Sequence, residues 1–233
     1  MRTIGLLGGM SWESTLSYYQ AINRGIAKRL GGLHSAKLVL VSLDFSEIEQ
    51  LQAIGDWEAA SKILIQGAQQ LKAAGAECIL ICTNTMHKLA PEIEQAVDLP
   101  LLHIADATGA ALVAHKHQRV ALLGTAFTME QDFYSGRLRE HFGLDVIIPE
   151  SEDRQRVHQV IYEELCQGKR LESSKQDYLA IIQRLQENGA EAVILGCTEI
   201  ALLVQQKDCE LPLFDTTQLH AEQAIQFSLS APF

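Results

Sequence analysis

The sequence predicts an α/β protein made of two similar halves, each an open parallel sheet flanked by helices. Three observations carry this expectation. Short continuous apolar runs alternate with longer amphipathic stretches. Several short motifs recur in the same order at near-constant offset. Small and hydroxyl residues close the apolar runs, where open α/β sheets bind ligands beyond the carboxyl ends of their strands.

The recurrences define the halves. Thr3-Ile4-Gly5-Leu6-Leu7-Gly8 resembles Arg119-Val120-Ala121-Leu122-Leu123-Gly124, an offset of 116 residues. Gly75-Ala76-Glu77 recurs as Gly189-Ala190-Glu191, and Leu99-Pro100-Leu101-Leu102 returns as Leu211-Pro212-Leu213-Phe214, at offsets of 114 and 112. Three matches in order indicate a duplicated fold. The expected division is residues 1–103 plus 211–233 as the N-terminal subdomain and 104–210 as the C-terminal one. With strand ends facing one another, a ligand would lie in the cleft between them.

Expected strands in the first half are Ile4 to Leu7, Leu38 to Val41, Cys78 to Ile81 and Leu101-Leu102. They are apolar without alternation, as suits strands covered on both faces. Glu13 to Arg29, Asp56 to Ala74 and Met86 to Val97 carry apolar residues at three- and four-residue spacing and predict helices. Asp56 suits an N-cap and Gly75 a C-terminal stop. The second half offers strands at Val120 to Leu123, Val146 to Ile148, Val193 to Leu195 and Leu213-Phe214. Helices are predicted around Met129 to Glu140, Arg154 to Gln167 and Lys175 to Glu187.

Composition narrows the function classes. The chain has 233 residues, 47% hydrophobic and 21% charged, ordinary for a globular protein. No apolar run approaches the ~20 residues of a membrane span. Trp12-Glu13-Ser14 interrupts the apolar N-terminal run, so no signal peptide and no membrane partner are expected. Five scattered cysteines suit reduced thiols and a cytoplasmic location rather than a disulfide framework. A formal charge of −10 argues against a nucleic-acid partner, which counterion release would reward only with basic patches. Cys78, Cys82 and His87 match no standard zinc spacing, so no metal is expected. Gly8-Gly9 lacks the spacing of a dinucleotide or phosphate loop.

Four strand ends stand out: Gly8-Gly9-Met10-Ser11, Thr83-Asn84-Thr85, Gly124-Thr125 and Gly196-Cys197-Thr198-Glu199. Each precedes an expected helix, whose first N–H groups would attract an anion; the plainer reading is a tight turn with an N-cap. In register from Gly-Ala-Glu, Cys197 lies opposite Thr83, and Cys82 opposite Gly196. Because neighbours on a strand point to opposite faces, Cys82 is read as a buried strand residue.

GGMSWEST (Gly8 to Thr15), ICTNTMH (Ile81 to His87) and ILGCTEI (Ile194 to Ile200) resemble the aspartate/glutamate racemase family over essentially the whole chain. The resemblance implies two α/β subdomains with the substrate between them, a homodimer, and catalysis without pyridoxal phosphate or another cofactor. It also implies two cysteines flanking the substrate's α-carbon, one removing its proton and the other returning one. Here Thr83 stands where the family has the first cysteine, while Asn84, Thr85, His87, Cys197, Thr198 and Glu199 match. A hydroxyl ionises near ~15.7 and a thiol near ~8.5, a handicap for a base of roughly 10 kcal/mol. Thr83 could still donate a proton or hold a water.

The resemblance therefore implies a racemase specific for L-aspartate and L-glutamate, with Cys197 as base, Thr83 opposite it and the reverse direction weak. Asn84, Thr85 and Thr198 would hold the α-carboxylate, with Met10 and Thr125 lining the pocket. Glu199 would receive the ammonium or simply suit the start of a helix. Gln52 is the candidate for the side-chain carboxylate, since Asp44 to Gln52 contains no Lys or Arg. His87 would tune the site or serve as a hydrogen-bonded core histidine. A single-cysteine decarboxylase or lyase of the same fold group, and a non-catalytic amino-acid binding protein, are the alternatives.

Overall fold

In the computed structural model, which describes residues 1–230, strand β1 (Ile4–Gly8) is the middle of a parallel three-stranded sheet. Its neighbours are β2 (Leu38–Ser42) and β3 (Cys78–Ile81), in the order β2-β1-β3. The expected strand at Leu101-Leu102 is a single bridge, Leu101 opposite Ile79, extending that order by one place. The second sheet repeats the order with a complete fourth strand: β5-β4-β6-β7, from β4 (Arg119–Gly124), β5 (Asp145–Ile147), β6 (Ala192–Gly196) and β7 (Leu213–Asp215). All pairings are parallel, and β1, β3 and β6 are buried throughout, as their continuous apolar sequence requires.

The helices are α1 (Trp12–Leu30), α2 (Phe45–Ile54), α3 (Trp57–Ala73), α4 (Ala90–Ala96), α5 (Ile104–Ala114) and α6 (Ala126–Glu130). Then come α7 (Asp132–Phe142), α8 (Ser151–Glu163), α9 (Glu172–Glu187), α10 (Ile200–Leu203) and α11 (Thr216–Leu229). Three of them, α2, α5 and α11, fall outside the sequence expectation, and α10 is the helix expected after Glu199, four residues long. The expected helix from Met129 to Glu140 is two, because Gln131 is extended (φ −96°, ψ 149°) between α6 and α7. The expected helix from Met86 is a 3₁₀ turn, Thr85–Leu89, followed by α4, whose first turn carries Pro91. None of the described helices is long and apolar enough to cross a membrane.

The repeated Gly-Ala-Glu has a structural cause. Gly75 and Gly189 adopt φ of +87° and +90°, ending α3 and α9 in the left-handed turn that favours glycine. In each copy the glycine N–H bonds the carbonyl three residues back, Lys72 or Gln186, and the alanine N–H bonds the one five back, Leu71 or Leu185. The glutamate then immediately precedes the next strand and reaches across. Glu77 Oε2 accepts from Thr3 N–H at 2.6 Å, and Glu191 Oε2 from Gln118 N–H at 2.7 Å. One tripeptide thus stops the helix, opens the strand and ties it to the central strand.

The chain divides into two compact units, Met1–Ile104 with the segment from His220 onward, and Ala105–Leu219. The expected return to the first unit at residue 211 is corrected by β7. It completes the open edge of β6, and Thr216 Oγ1 donates to Leu195 O at 2.9 Å, so 211–219 stays with the second sheet. At His220 the first unit resumes, with Nε2 against Leu102 O at 2.6 Å. The end of the expected segment, 231–233, lies outside the described residues.

Two glycines with positive φ separate strain from collision. A Cβ on Gly75 meets no atom within 4 Å, whereas one on Gly9 (φ +91°) would sit 2.1 Å from Leu43 O. Gly75→Ala is expected to cost about 1 kcal/mol and Gly9→Ala about 3 kcal/mol or more, read as shifts in denaturant midpoint. Equal shifts would mean that the loop after β1 yields freely.

Candidate active site

The third strand shows how the chain separates its thiols. Along β3, Ile79 and Ile81 enter one apolar cluster, with Met10 and Met86, while Cys78, Leu80 and Cys82 enter the other, with Tyr18 and Ile22. Alternation on the strand therefore puts Cys82 in the core, fully buried. Burial pushes its thiol far above the ordinary range and that of Cys78 up to about 12. Thr83, the next residue, leaves the strand at a turn and is half-buried.

That turn is held at every peptide. Thr83 N–H donates to Ile81 O at 2.9 Å, and Ser14 Oγ donates to Cys82 O at 2.6 Å. His87 Nδ1 lies 2.8 Å from Thr83 O, and His87 N–H donates to Asn84 O at 3.0 Å. Asn84 and Thr85 follow, both buried. Met10, after β1, is buried in the same cluster as Met86, and Gln52 of α2 turns its amide Nε2 onto Met86 Sδ at 2.8 Å. The first unit therefore brings Met10, Gln52 and the turn after β3 together. Gln52, the sequence candidate for a carboxylate, faces a thioether in this structure.

In the second unit, Cys197 follows β6 and is 9% exposed. Its Sγ lies 3.0 Å from Glu199 Oε2, and Thr198 Oγ1 donates to the same oxygen at 2.6 Å. Cys166 lies 4.0 Å from the other carboxylate oxygen. The Cys197 thiol is pushed well above its usual value, first by burial, then by the adjacent Glu199 charge and by Cys166. At rest Cys197 is a protonated thiol donating to a carboxylate. Thr125 caps α6, accepting from Thr128 N–H at 3.2 Å, so its hydroxyl performs the plain N-cap role.

Two expectations change here. The strand ends were expected to open onto helices with useful N-terminal fields, but only α1 after β1 is long. Those after β3, β4 and β6 are a 3₁₀ turn, five residues and four residues. Thr198, expected to face a carboxylate, commits its hydroxyl to Glu199. Sequence reasoning missed Cys166, placed by a 3₁₀ turn at Leu165–Gln167, and missed Tyr18, His103 and His220 around His87. Nothing in the local pattern marked them, because their partners are distant in sequence.

The sequence profile of the Asp/Glu/hydantoin racemases matches residues 7–224, and the chain belongs to that family. A candidate Asp/Glu racemase from Yersinia pestis has a crystal structure similar to this one, 53% identical, with a TM-score of 0.92 over 99% of this chain and 100% of that one. An aspartate racemase homologue from Pyrococcus horikoshii OT3 is 34% identical, with a TM-score of 0.84 over 99% and 100%. The broad specificity amino-acid racemase RacX of Bacillus subtilis is 25% identical over 175 residues, 75% of each chain. The fold and the family are thus those of the amino-acid racemases, an isomerase class.

The Glu199 contact makes a prediction for Cys197. Followed by peptide mass spectrometry, alkylation of Cys197 by iodoacetamide should still be rising with pH beyond the ordinary thiol range of ~8.5. Glu199→Gln removes the adjacent charge and should make the thiol react severalfold faster at neutral pH. A rate equal to or below that of the unaltered protein would show that Glu199 does not hold the proton on sulfur.

Proposed function

We propose that this chain is a racemase of L-aspartate and L-glutamate that needs no pyridoxal phosphate, with Cys197 as base and Thr83 on the opposite side of the α-carbon. The observation that carries the reading is the unequal fate of the two strand-end thiols. Cys82 is sealed in an apolar cluster, whereas Cys197 sits at its strand end against a carboxylate whose charge bears on its ionisation. Family membership supplies the reaction class, and Thr83 at the register position of Cys197 supplies the asymmetry.

In this reading the substrate's α-ammonium approaches Glu199 and offsets its charge, removing one cause that keeps Cys197 protonated. The thiol proton leaves to water while Glu199 stays ionised against the ammonium, and the thiolate takes the α-proton of the L-isomer. Donors around the carboxylate, the N–H groups at Asn84, Thr85 and Thr198, stabilise the charge that develops. The carbanion then has two fates. Return of a proton from Cys197 regenerates the L-isomer; donation from Thr83 on the other side gives the D-isomer, water at once reprotonating the Thr83 alkoxide while the abstracted proton remains on Cys197.

The asymmetry has a defined kinetic meaning. Enantiomers in water have equal free energy, so catalytic efficiency must be the same in both directions at equilibrium. A one-thiol racemase therefore cannot simply lack the reverse direction. It instead exchanges the α-proton of the L-isomer faster than it inverts it, because the step through Thr83 is the difficult one in both directions.

In deuterated water, L-glutamate or L-aspartate should gain α-deuterium, in recovered L-isomer, faster than D-isomer appears. Absence of exchange with both would sink the proposal. Cys197→Ser should lower both rates by a factor on the order of 10²–10⁴. Thr83→Cys should raise inversion on the order of tenfold or more, towards the rate of exchange. Unchanged inversion in that variant would remove Thr83 from the reaction.

A further inference from the structure

Three buried histidines lie beneath the Thr83 turn, and the proposed reaction uses none of them. His87, His103 and His220 are at most 4% exposed. The ring centroids of His87 and His103 are 4.6 Å apart, those of His87 and His220 5.5 Å. The elements that bring them together are the 3₁₀ turn after Asn84, the segment before α5, and α11.

The hydrogen bonds fix where the protons are. His87 Nδ1 faces the Thr83 carbonyl at 2.8 Å, which can only accept, so Nδ1 carries hydrogen. His87 Nε2 receives the Ile104 N–H at 3.3 Å, so it carries none. His220 Nε2 donates to Leu102 O at 2.6 Å, and its Nδ1 lies 2.8 Å from the Tyr18 hydroxyl, which can donate or accept. The His87 ring is neutral, with both nitrogens satisfied. A second proton on His87 would set an N–H against the Ile104 N–H.

We propose that His87 is a positioning residue for Thr83: its Nδ1–H holds the Thr83 carbonyl and so aims the Thr83 side chain. This rests on the reading of Thr83 as the proton donor opposite Cys197. The other end of the Thr83 residue is fixed by its N–H to Ile81 O, and the preceding carbonyl by Ser14. With both ends held, the direction of Cα–Cβ is set, and a β-branched side chain has few rotamers left. His103 and His220 are the titratable groups that act on His87, with Tyr18 behind His220. Burial first, and then those two rings, hold His87 well below the usual imidazole range. The arrangement is therefore intact through the ordinary imidazole value and lost only as pH falls through the depressed value of His87.

The test uses the ratio of L-isomer exchange to inversion in deuterated water, which a general loss of folded protein does not change. His87→Ala should raise that ratio about tenfold by slowing inversion, the cost of one lost hydrogen bond, with exchange through Cys197 held within about twofold. His87→Asn, whose amide N–H can take the place of Nδ1–H, should restore the ratio to near that of the unaltered protein. A proportional fall of both rates in His87→Ala, or failure of His87→Asn to recover, would overturn the proposal. If the unaltered protein shows no exchange, the racemase reading fails first. The histidine assignment is then decided by nitrogen-15 NMR at about pH 6, just below the ordinary imidazole value of ~6.5. A neutral Nδ1–H ring at His87, with Thr83 resonances displaced in His87→Ala and kept in His87→Asn, supports it. An imidazolium, an Nε2–H ring or unmoved Thr83 resonances overturn it.

Discussion

The site depends on a rule of strand geometry: two consecutive residues cannot face the same side. On β3 this sends Cys78, Leu80 and Cys82 into one cluster and Ile79 and Ile81 into the other. The thiol at Cys82 is consequently part of the core and Thr83 begins the turn. No adjustment of side-chain rotamer alone could exchange them. The first strand end presents a hydroxyl because register requires it, although a thiol is one residue away.

The second strand end has a different environment, and the difference is electrostatic. Cys197 and Thr198 both direct hydrogen at one oxygen of Glu199, while Cys166 lies near the other. A carboxylate this close to a thiol keeps it protonated and unreactive. Burial strengthens that tendency, since an unpaired charge there is costly. In the proposed reaction the base would be released when a positive group, the ammonium of an amino acid, reaches Glu199.

Much of this was legible in the sequence, as the Gly9→Ala and Gly75→Ala comparison illustrates. The strand order repeats because the motifs repeat, and Gly-Ala-Glu recurs because glycine, alanine and glutamate each perform one step of a helix stop and strand start. Legibility failed where contrast was low. Helix α5, Ile-Ala-Asp-Ala-Thr-Gly-Ala-Ala-Leu-Val-Ala, is apolar nearly all round and shows no clear face. Helix α10 has four residues, too few for a period. Strand β7 was recognised, but sequence alone assigned its segment to the other unit, since the edge it fills belongs to β6 and pairing is not local. In the site, the strand-end residues were readable and their partners were not. Tyr18 and His220 are 202 positions apart, and Ser14 and Cys82 are 68.

The turn after β3 is rigid for the same reason that it was hard to read. In the proposed reaction Thr83 would contribute only a short hydroxyl, which must be correctly aimed to protonate carbon, because an alcohol has little thermodynamic drive to compensate for poor placement. A thiolate tolerates looser geometry, being both more nucleophilic and more polarisable. At the first strand end Ile81, Cys82, Thr83 and Asn84 each have a carbonyl bonded at the turn, two of them by the side chains of Ser14 and His87. At the second, Thr216 Oγ1 bonds the Leu195 carbonyl, Ile200 N–H bonds the Cys197 carbonyl, and the thiol itself meets the Glu199 carboxylate. Both turns are tied through their carbonyls, so what distinguishes the two side chains is the charge beside Cys197.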